Sequence, residues 1–326
     1  MTSEREEQFH DFNLIERKLS FKEAGFGLSL EQYKRLEEID FRLKKFEAEY
    51  GMVPLMKSNR SGPINYRKLI EEKKDLLNLE EKIKEQKIQE LVEKFGGIFL
   101  GTEQIQEAFS LYDKEGKKIE SLISKDLLKL ELPTEKEIEK IAGVLEELNY
   151  TKWALIREVA EDKNGQGIDI NWLNKYFQKD PKDSKIKLIY QGNRMASEDP
   201  ADLKMKTERL ENQWSIVVLD SPSYNSRTVD KSDQEQKDLI KKINQTRGFN
   251  LFIPKAVQDL YAVLGVYLAT NQKVRQDPSV YFRTASPSAN ENLVAIYNFD
   301  EKEGINISQV SRKKSPFINC AIGCRI

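Results

Sequence analysis

The chain of 326 residues has almost no histidine and little cysteine. His10 is the single histidine and lies in a polar N-terminal stretch, which excludes Ser–His and Cys–His catalysis and zinc sites with imidazole ligands. Cys320 and Cys324 are the only cysteines, too few for a disulfide scaffold. On a straight strand they would lie about 13 Å apart, too far for a disulfide, so we expect two buried thiols.

The sequence also lacks a surplus of either charge, long apolar runs and phosphate-binding motifs. Lys+Arg 53 against Asp+Glu 54 gives a net charge of −1, so the whole-chain field does not favour nucleic acid or anionic membranes. No apolar run approaches the roughly 20 residues of a membrane-spanning helix. The opening MTSEREEQFH has no apolar signal core. The motifs G-x-G-x-x-G, G-x-x-x-x-G-K-[ST] and G-x-S-x-G are absent, so we expect no cofactor. From the missing apolar runs and signal core we expect a soluble, cytoplasmic protein.

Residues 1–96 contain the longest helical patterns. Ser29 with Gln32 forms a capping box, and apolar residues then recur every three or four positions as far as Tyr50. A second helix is predicted from about Tyr66 to Phe95. Two interpretations stay open for this region: a helical hairpin packed on itself, or a coiled-coil arm that recruits a partner.

Residues 97–183 contain two loops rich in Asp, Asn, Gly and Lys, and helices are predicted before and after each loop. One of these helices would begin at Thr151 and carry Trp153, Leu155, Ile156 and Val159. The stretches EQIQEAFSLYDKEGK, LPTEKEIEKI and IREVAEDKNGQGIDI resemble the helices and loops of a calmodulin-like EF-hand pair. The resemblance covers about 75 residues and implies a helix–loop–helix pair, with calcium as the possible ligand.

The two loops differ in how well they match the EF-hand pattern. In the first, which starts at Asp113, Lys117 and Lys118 occupy positions that need an oxygen ligand and a glycine, so we expect no calcium there. In the second, the resemblance implies Asp162, Asn164, Gln166 and Asp169 as candidate ligands. No frame supplies the terminal glutamate, so calcium binding is possible but not expected, and a metal-free helix–loop–helix stays open.

Aromatic residues around the second loop are candidates for partner binding. They are Trp153, Trp172, Tyr176 and Phe177. One interpretation places them in the core between paired helices. The alternative is a groove that accepts a partner peptide.

In residues 184–326 the apolar residues recur at a shorter spacing than in the helical patterns before them. KIKLIYQG, WSIVVLD, VYFRTAS, LVAIYNFD and INISQVS predict strands, and helices are predicted at 201–212, from Ser232 to about Asn244, and from Lys255 to about Thr270. The order of these elements predicts an α+β fold with a mainly antiparallel sheet. The layout also resembles that of uncharacterised proteins of reduced-genome bacteria, a likeness that implies no activity.

Two further clusters could support chemistry or binding in this part. Asp220 and Asp230 lie near strand or loop ends and could act as an acid–base pair. Tyr281, Phe282 and Arg283 on a predicted strand could form a stacking platform for nucleic acid or sugar, with Lys313 and Lys314 near in sequence.

The function that the sequence favours is a non-catalytic protein-interaction or scaffold protein, and the expected partner is another protein. An enzyme that uses carboxylates in the C-terminal part is one alternative. A C-terminal sheet that binds carbohydrate or nucleic acid is another, although the charge balance argues against nucleic acid.

Overall fold

The computed structural model describes residues 27–50, 64–112, 115, 117–124, 131–150, 152–179, 188–190, 199–220, 227–275, 277, 280–300 and 304–325. The chain forms two compact units, residues 1–88 and 89–326, which we call the N-terminal and C-terminal units. The single histidine, His10, and residues 51–63 between the two predicted N-terminal helices lie outside the described residues.

The N-terminal unit contains α1 (Leu30–Tyr50) and most of α2 (Ile64–Lys94), and the two helices are antiparallel. The predicted cap is present, because the Gln32 backbone N–H donates to Ser29 Oγ at 3.3 Å and the Ser29 N–H donates to Gln32 Oε1 at 2.8 Å. The buried residues of this helical hairpin lie along the facing stripes; they are Leu28, Tyr33, Leu36, Ile39, Leu43 and Leu69.

The C-terminal unit combines short helices with two five-stranded sheets. Its helices are α3 (Thr102–Ala108), α4 (Glu135–Glu147), α5 (Ile170–Lys179), α6 (Pro200–Lys206), α7 (Asp233–Arg247) and α8 (Ala256–Thr270). Its strands are β1 (Ile98–Leu100), β2 (Ser110–Tyr112), β3 (Lys118–Ser121), β4 (Lys152–Glu158), β5 (Leu188–Tyr190), β6 (Gln213–Asp220), β7 (Leu251–Phe252), β8 (Tyr281–Pro287), β9 (Leu293–Asp300), β10 (Gly304–Val310), β11 (Ile318–Cys320) and β12 (Gly323–Arg325).

The first sheet has the order β1-β4-β6-β12-β7 and the second has the order β11-β8-β9-β10-β5. Antiparallel pairs predominate, and the parallel pairs are β1 with β4, β5 with β10, and β8 with β11. Strands β2 and β3 form a separate antiparallel ribbon. The predicted α+β class with a mainly antiparallel sheet is confirmed.

Helix α8 lies between the two sheets and contacts strands of both. It is apolar around most of its circumference, as expected of a helix buried on all sides, and every residue from Ala256 to Val266 is buried. Gly265 allows its close approach to the first sheet, because a Cβ there would lie 3.3 Å from the side chains of Ile156 and Leu100. One continuous hydrophobic core therefore joins the first sheet, α8 and the second sheet.

The helix predicted from Thr151 to Val159 is wrong, because residues 152–158 form strand β4. All residues of β4 after Lys152 are buried, so both faces of the strand are covered and the sequence lacks the alternation that marks a half-exposed strand. The first loop also departs from the prediction, because β3 follows it instead of a helix. Residues 113, 114 and 116 of that loop lie outside the described residues.

The strand pairing crosses the change in sequence pattern near residue 183. Strand β4 pairs with β6 along seven residue pairs, from Lys152 opposite Asp220 to Glu158 opposite Gln213. Residues 97–183 and 184–326 therefore contribute neighbouring strands to one sheet, and the core is shared. The change in the spacing of apolar residues near residue 184 therefore reflects a change in the local secondary structure.

Several local predictions agree with the structure. The helix predicted to start at Ser232 is α7, which opens with a capping box of Ser232 and Glu235, and α4 opens with a similar box of Thr134 and Glu137. The strand predicted at Trp214–Asp220 is β6. The helix predicted at 201–212 is shorter, because α6 ends at Lys206.

Candidate functional site

The second loop, residues 160–169, is closed by its own hydrogen bonds. The Asp162 side chain is buried, and its Oδ1 accepts the backbone N–H groups of Asn164 (2.8 Å) and Gln166 (3.0 Å). Its Oδ2 accepts the indole N–H of Trp172 at 3.1 Å. Both carboxylate oxygens therefore already accept hydrogen bonds from N–H groups, so Asp162 stabilises the turn from inside.

Asp169 and the backbone of Gln166 have structural contacts of their own, whereas the Asn164 side chain is exposed at the turn. Asp169 caps α5, since its Oδ1 accepts the Trp172 backbone N–H at 2.7 Å. The Gln166 carbonyl accepts the N–H of Asp162 at 2.8 Å, and Gly165 takes the left-handed turn position with φ 75°. Among the residues that the structure describes, no group of three His, Cys, Asp or Glu side chains is arranged to hold a metal ion.

The aromatic candidates are part of the hydrophobic core. Trp172 stacks on Tyr176 with ring centroids 5.7 Å apart, and Phe109 lies against both and stacks on Tyr261. The Tyr176 hydroxyl lies within hydrogen-bonding distance of the backbone carbonyls of residues 108 and 110. Trp153 is also buried, against Gly97. A partner could reach none of these three candidates without opening the core, and the side chain of Phe177 lies outside the described residues.

Asp220 and Asp230 occupy different surroundings. Asp220 ends β6 opposite Lys152, whereas Asp230 is exposed in a turn and donates its backbone N–H to the Ser315 carbonyl. The two thiols are buried as expected: Cys320 lies on β11 of the second sheet and Cys324 on β12 of the first.

The Tyr281–Arg283 platform does not form an exposed face, because Phe282 and Arg283 are buried. Arg283 Nη2 donates to the carbonyls of Ser311 (2.6 Å) and Lys313 (3.0 Å), and Nη1 donates to Gln236 Oε1 at 2.8 Å. Arg283 therefore fixes the loop between β10 and β11 on α7. Burial lowers the pKa of this guanidinium.

Two glutamates that the sequence did not single out converge on the N-terminus of α8. Glu158 is fully buried and accepts the side-chain N–H groups of Gln213 (2.8 Å) and Gln258 (3.0 Å). Glu208 is partly buried, and its Oε2 accepts the hydroxyl of Ser286. Burial raises the pKa of both carboxyl groups.

A raised pKa lets a carboxyl group keep its proton to higher pH, as a general acid must. Glu158, however, has no exposed surface, and the Ser286 hydroxyl that meets Glu208 is itself buried and accepts the Ala256 backbone N–H at 2.8 Å. These groups tie α8 to strands of both sheets. The burial of these carboxyl groups is tolerated because they accept hydrogen bonds from amide and hydroxyl donors.

Three of the exposed large hydrophobic side chains of the N-terminal unit, those of Phe41, Ile70 and Leu77, lie on one side of its hairpin, whereas the exposed Leu79 lies on the other. In α2, Lys73 lies three residues after Ile70 and four before Leu77, so the three share a face. Lys73 forms an ion pair with Asp40 of α1 (2.5 Å), which fixes the side of the hairpin on which this face lies. Phe41 follows Asp40 by about 100° and points outward on the same side. Phe41 is 70% exposed, and Ile70 and Leu77 are 44% exposed.

We call Phe41, Ile70 and Leu77 the apolar side of the hairpin. The opposite side carries the ion pair of Arg35 with Glu72 (2.6 Å) and, one heptad after Glu72, Leu79. The sequence contained the signal for the apolar side, because these three residues fall outside the stripes that face the other helix.

The described part of the chain includes no helix that combines the length and apolar character needed to cross a bilayer. No protein-family model, curated protein or solved structure matches this chain.

Proposed function

We propose that this chain is a protein-interaction module and that the apolar side of the hairpin is its contact surface. The observation that carries the proposal is the 70% exposure of Phe41 on the same side of the hairpin as the partly exposed Ile70 and Leu77. Together the three side chains leave on the order of 300 Å² of apolar surface in water on this side, and apolar surface gathered on one side of a chain is a common mark of an interaction site.

The hairpin does not need these residues for its own stability. Its core uses the facing stripes of α1 and α2, where Leu69 is 6% exposed although its neighbour Ile70 is 44% exposed. Lysine, glutamine or glutamate at positions 41, 70 and 77 would favour the helix at least as well as phenylalanine, isoleucine and leucine do. Keeping apolar side chains at these positions carries a cost in solubility, which a bound partner would remove.

The other candidate surfaces lend less support. Trp153, Trp172, Tyr176, Phe282 and Arg283 are buried. The exposed large hydrophobic residues of the described C-terminal unit, such as Ile119, Leu203 and Phe317, lie singly on separate elements. Single exposed hydrophobic residues are ordinary and need no partner.

Site-specific photo-crosslinking tests the proposal. A photoreactive phenylalanine analogue is placed at position 41, 77 or 79 of the full chain, and the cells that make it are irradiated. We expect discrete protein adducts from positions 41 and 77 and none above background from position 79, which lies on the opposite side. Equal yields at the three positions, or no adduct from 41 and 77, would contradict the proposal.

A further inference from the structure

We propose that the occupant of the apolar side is a second copy of this chain, so that two hairpins pair as a four-helix bundle. The inference rests on the proposed function and names its partner. The axial levels of the apolar residues, the charges beside them and the area that pairing would bury all support a second copy as the partner.

The axial levels make the apolar side complementary to itself. Tyr33 contacts Glu80 and Asp40 contacts Lys73, so seven residues forward along α1 correspond to seven residues back along α2. Phe41 therefore lies at the level of residue 72, between Ile70 and Leu77.

A two-fold axis along the length of the hairpin places α1 of one copy over α2 of the other and preserves these levels. Each Phe41 then packs between Ile70 and Leu77 of the partner copy, and both contacts are identical, as an isologous interface requires. Every helix in this arrangement is antiparallel to its neighbours, as in up-and-down four-helix bundles.

The charges flanking the apolar side partly match under the same operation. Lys34 and Glu37 precede Phe41 on its side of α1, whereas Lys74 and Glu81 occupy the corresponding side of α2. Superposition of the levels brings Lys34 to within about 3 Å along the axis of Glu81, and Glu37 equally near to Lys74. Opposite charges therefore meet in two pairs, each repeated by symmetry.

One like-charged pair opposes this match, because Lys44 comes near the level of Arg67. The flanking charges thus set the register more than the affinity. The net charge of −1 for the whole chain adds no long-range repulsion between copies.

The buried area is sufficient for a weak dimer. About 300 Å² of apolar surface per copy gives about 600 Å² for the pair, and with the usual polar share the interface reaches about 1,000 Å². That value lies at the lower end for specific association, so we expect dissociation in the micromolar range.

Sedimentation velocity of the purified full chain from about 1 µM to about 100 µM tests the inference. We expect the mass to rise from one copy to two. Phe41→Ser should weaken association at least tenfold, because each dimer loses two central aromatic contacts. The matched control is Leu79→Ser, which removes an exposed hydrophobic residue from the opposite side and should change the dissociation constant less than twofold.

A charge exchange provides a second test. Lys74→Glu should weaken the dimer, and Glu37→Lys in the same chain should restore it, a recovery that loss of folding cannot produce. A monomer at every concentration, or equal weakening by Phe41→Ser and Leu79→Ser, would overturn the inference.

The two proposals can fail separately. A monomeric chain that still gives adducts with a different protein from positions 41 and 77 would leave the proposed function standing and remove the second copy as the occupant. A monomeric chain without adducts would remove both.

Discussion

Arg275 holds the two sheets and α8 together, and its removal should be among the most damaging single changes in the chain. Its Nη1 and Nη2 donate to the two oxygens of Asp259 on α8 at 2.5 and 2.6 Å. Nη2 also donates to the Val218 carbonyl of the first sheet (3.0 Å), and Nη1 to the Ile296 carbonyl of the second (3.3 Å). The guanidinium lies 4.1 Å from the centre of the Phe282 ring.

Arg275→Met should reduce the free energy of unfolding by about 4 kcal/mol. Removing one member of a buried ion pair typically costs about 3–5 kcal/mol, because the remaining charge is left without compensation. Arg275 has a left-handed backbone with φ 59°. Methionine also carries a Cβ, so this backbone strain is the same in both chains and does not contribute to the difference.

The remaining carboxyl group gives the variant a pH signature. Burial raises the pKa of Asp259, and the Arg275 charge opposes that shift. Without Arg275 the folded-state pKa lies above the unfolded one, so the stability linked to protonation is present at low pH and is lost as the pH rises. Relative to the wild type, Arg275→Met should therefore be less destabilised near pH 5 than near pH 8.

Urea unfolding followed by tryptophan fluorescence measures these differences. Arg275→Met with Asp259→Leu should recover at least half of the loss, because an apolar replacement of a buried pair is often nearly neutral. The control is Arg247→Met, which breaks an exposed ion pair in which Arg247 Nη2 contacts both carboxylate oxygens of Glu147 (2.7 and 3.0 Å) and should cost less than about 1 kcal/mol. A loss for Arg275→Met no greater than that for Arg247→Met would refute the reasoning.

Buried contacts elsewhere in the C-terminal unit have measurable consequences of their own. Glu158→Gln should gain stability relative to the wild type as the pH rises from about 4 to about 7, because burial raises the pKa of Glu158 and its ionisation destabilises the fold; urea unfolding at both pH values measures this, and a constant difference would contradict it. Calcium titration should leave the tryptophan emission unchanged, because both oxygens of Asp162 already accept N–H hydrogen bonds, one of them from Trp172; saturable quenching would contradict this. Gly97→Ala should cost about 1–3 kcal/mol in urea unfolding, since its Cβ would lie 2.7 Å from the Trp153 ring, and an unchanged midpoint would count against the packing described here.

Elements with local signals could be predicted from the sequence. The starts of α1, α4 and α7 follow from capping boxes, because those contacts involve residues three positions apart. Strand β6 follows from its run of β-branched residues and the turn-forming residues after it. These features depend on neighbours in sequence, so no tertiary information was needed.

Strand β4 could not be predicted in the same way, because tertiary burial determines its structure. Trp153, Leu155, Ile156 and Val159 match a helical stripe and a fully buried strand equally well. The pairing of β4 with β1 and β6 decides between them. The roles of Asp162 and Arg275 were equally hidden, since neither a burial fraction nor a distant hydrogen-bond partner can be read from composition.

The two units use apolar and charged residues in opposite ways. The C-terminal unit buries Arg275, Arg283 and Glu158 and supplies each with several directed contacts, which fix strands and loops in place. The hairpin needs only its facing stripes, and yet Phe41 remains in water.

Replacing Phe41, Ile70 and Leu77 together with glutamine separates incidental exposure from a contact surface, because all three lie outside the hairpin core. If their exposure is incidental, the triple variant should keep its thermal stability and its sedimentation behaviour at every concentration. If they form the contact surface, the dilute chain should unfold as before while association at high concentration is lost.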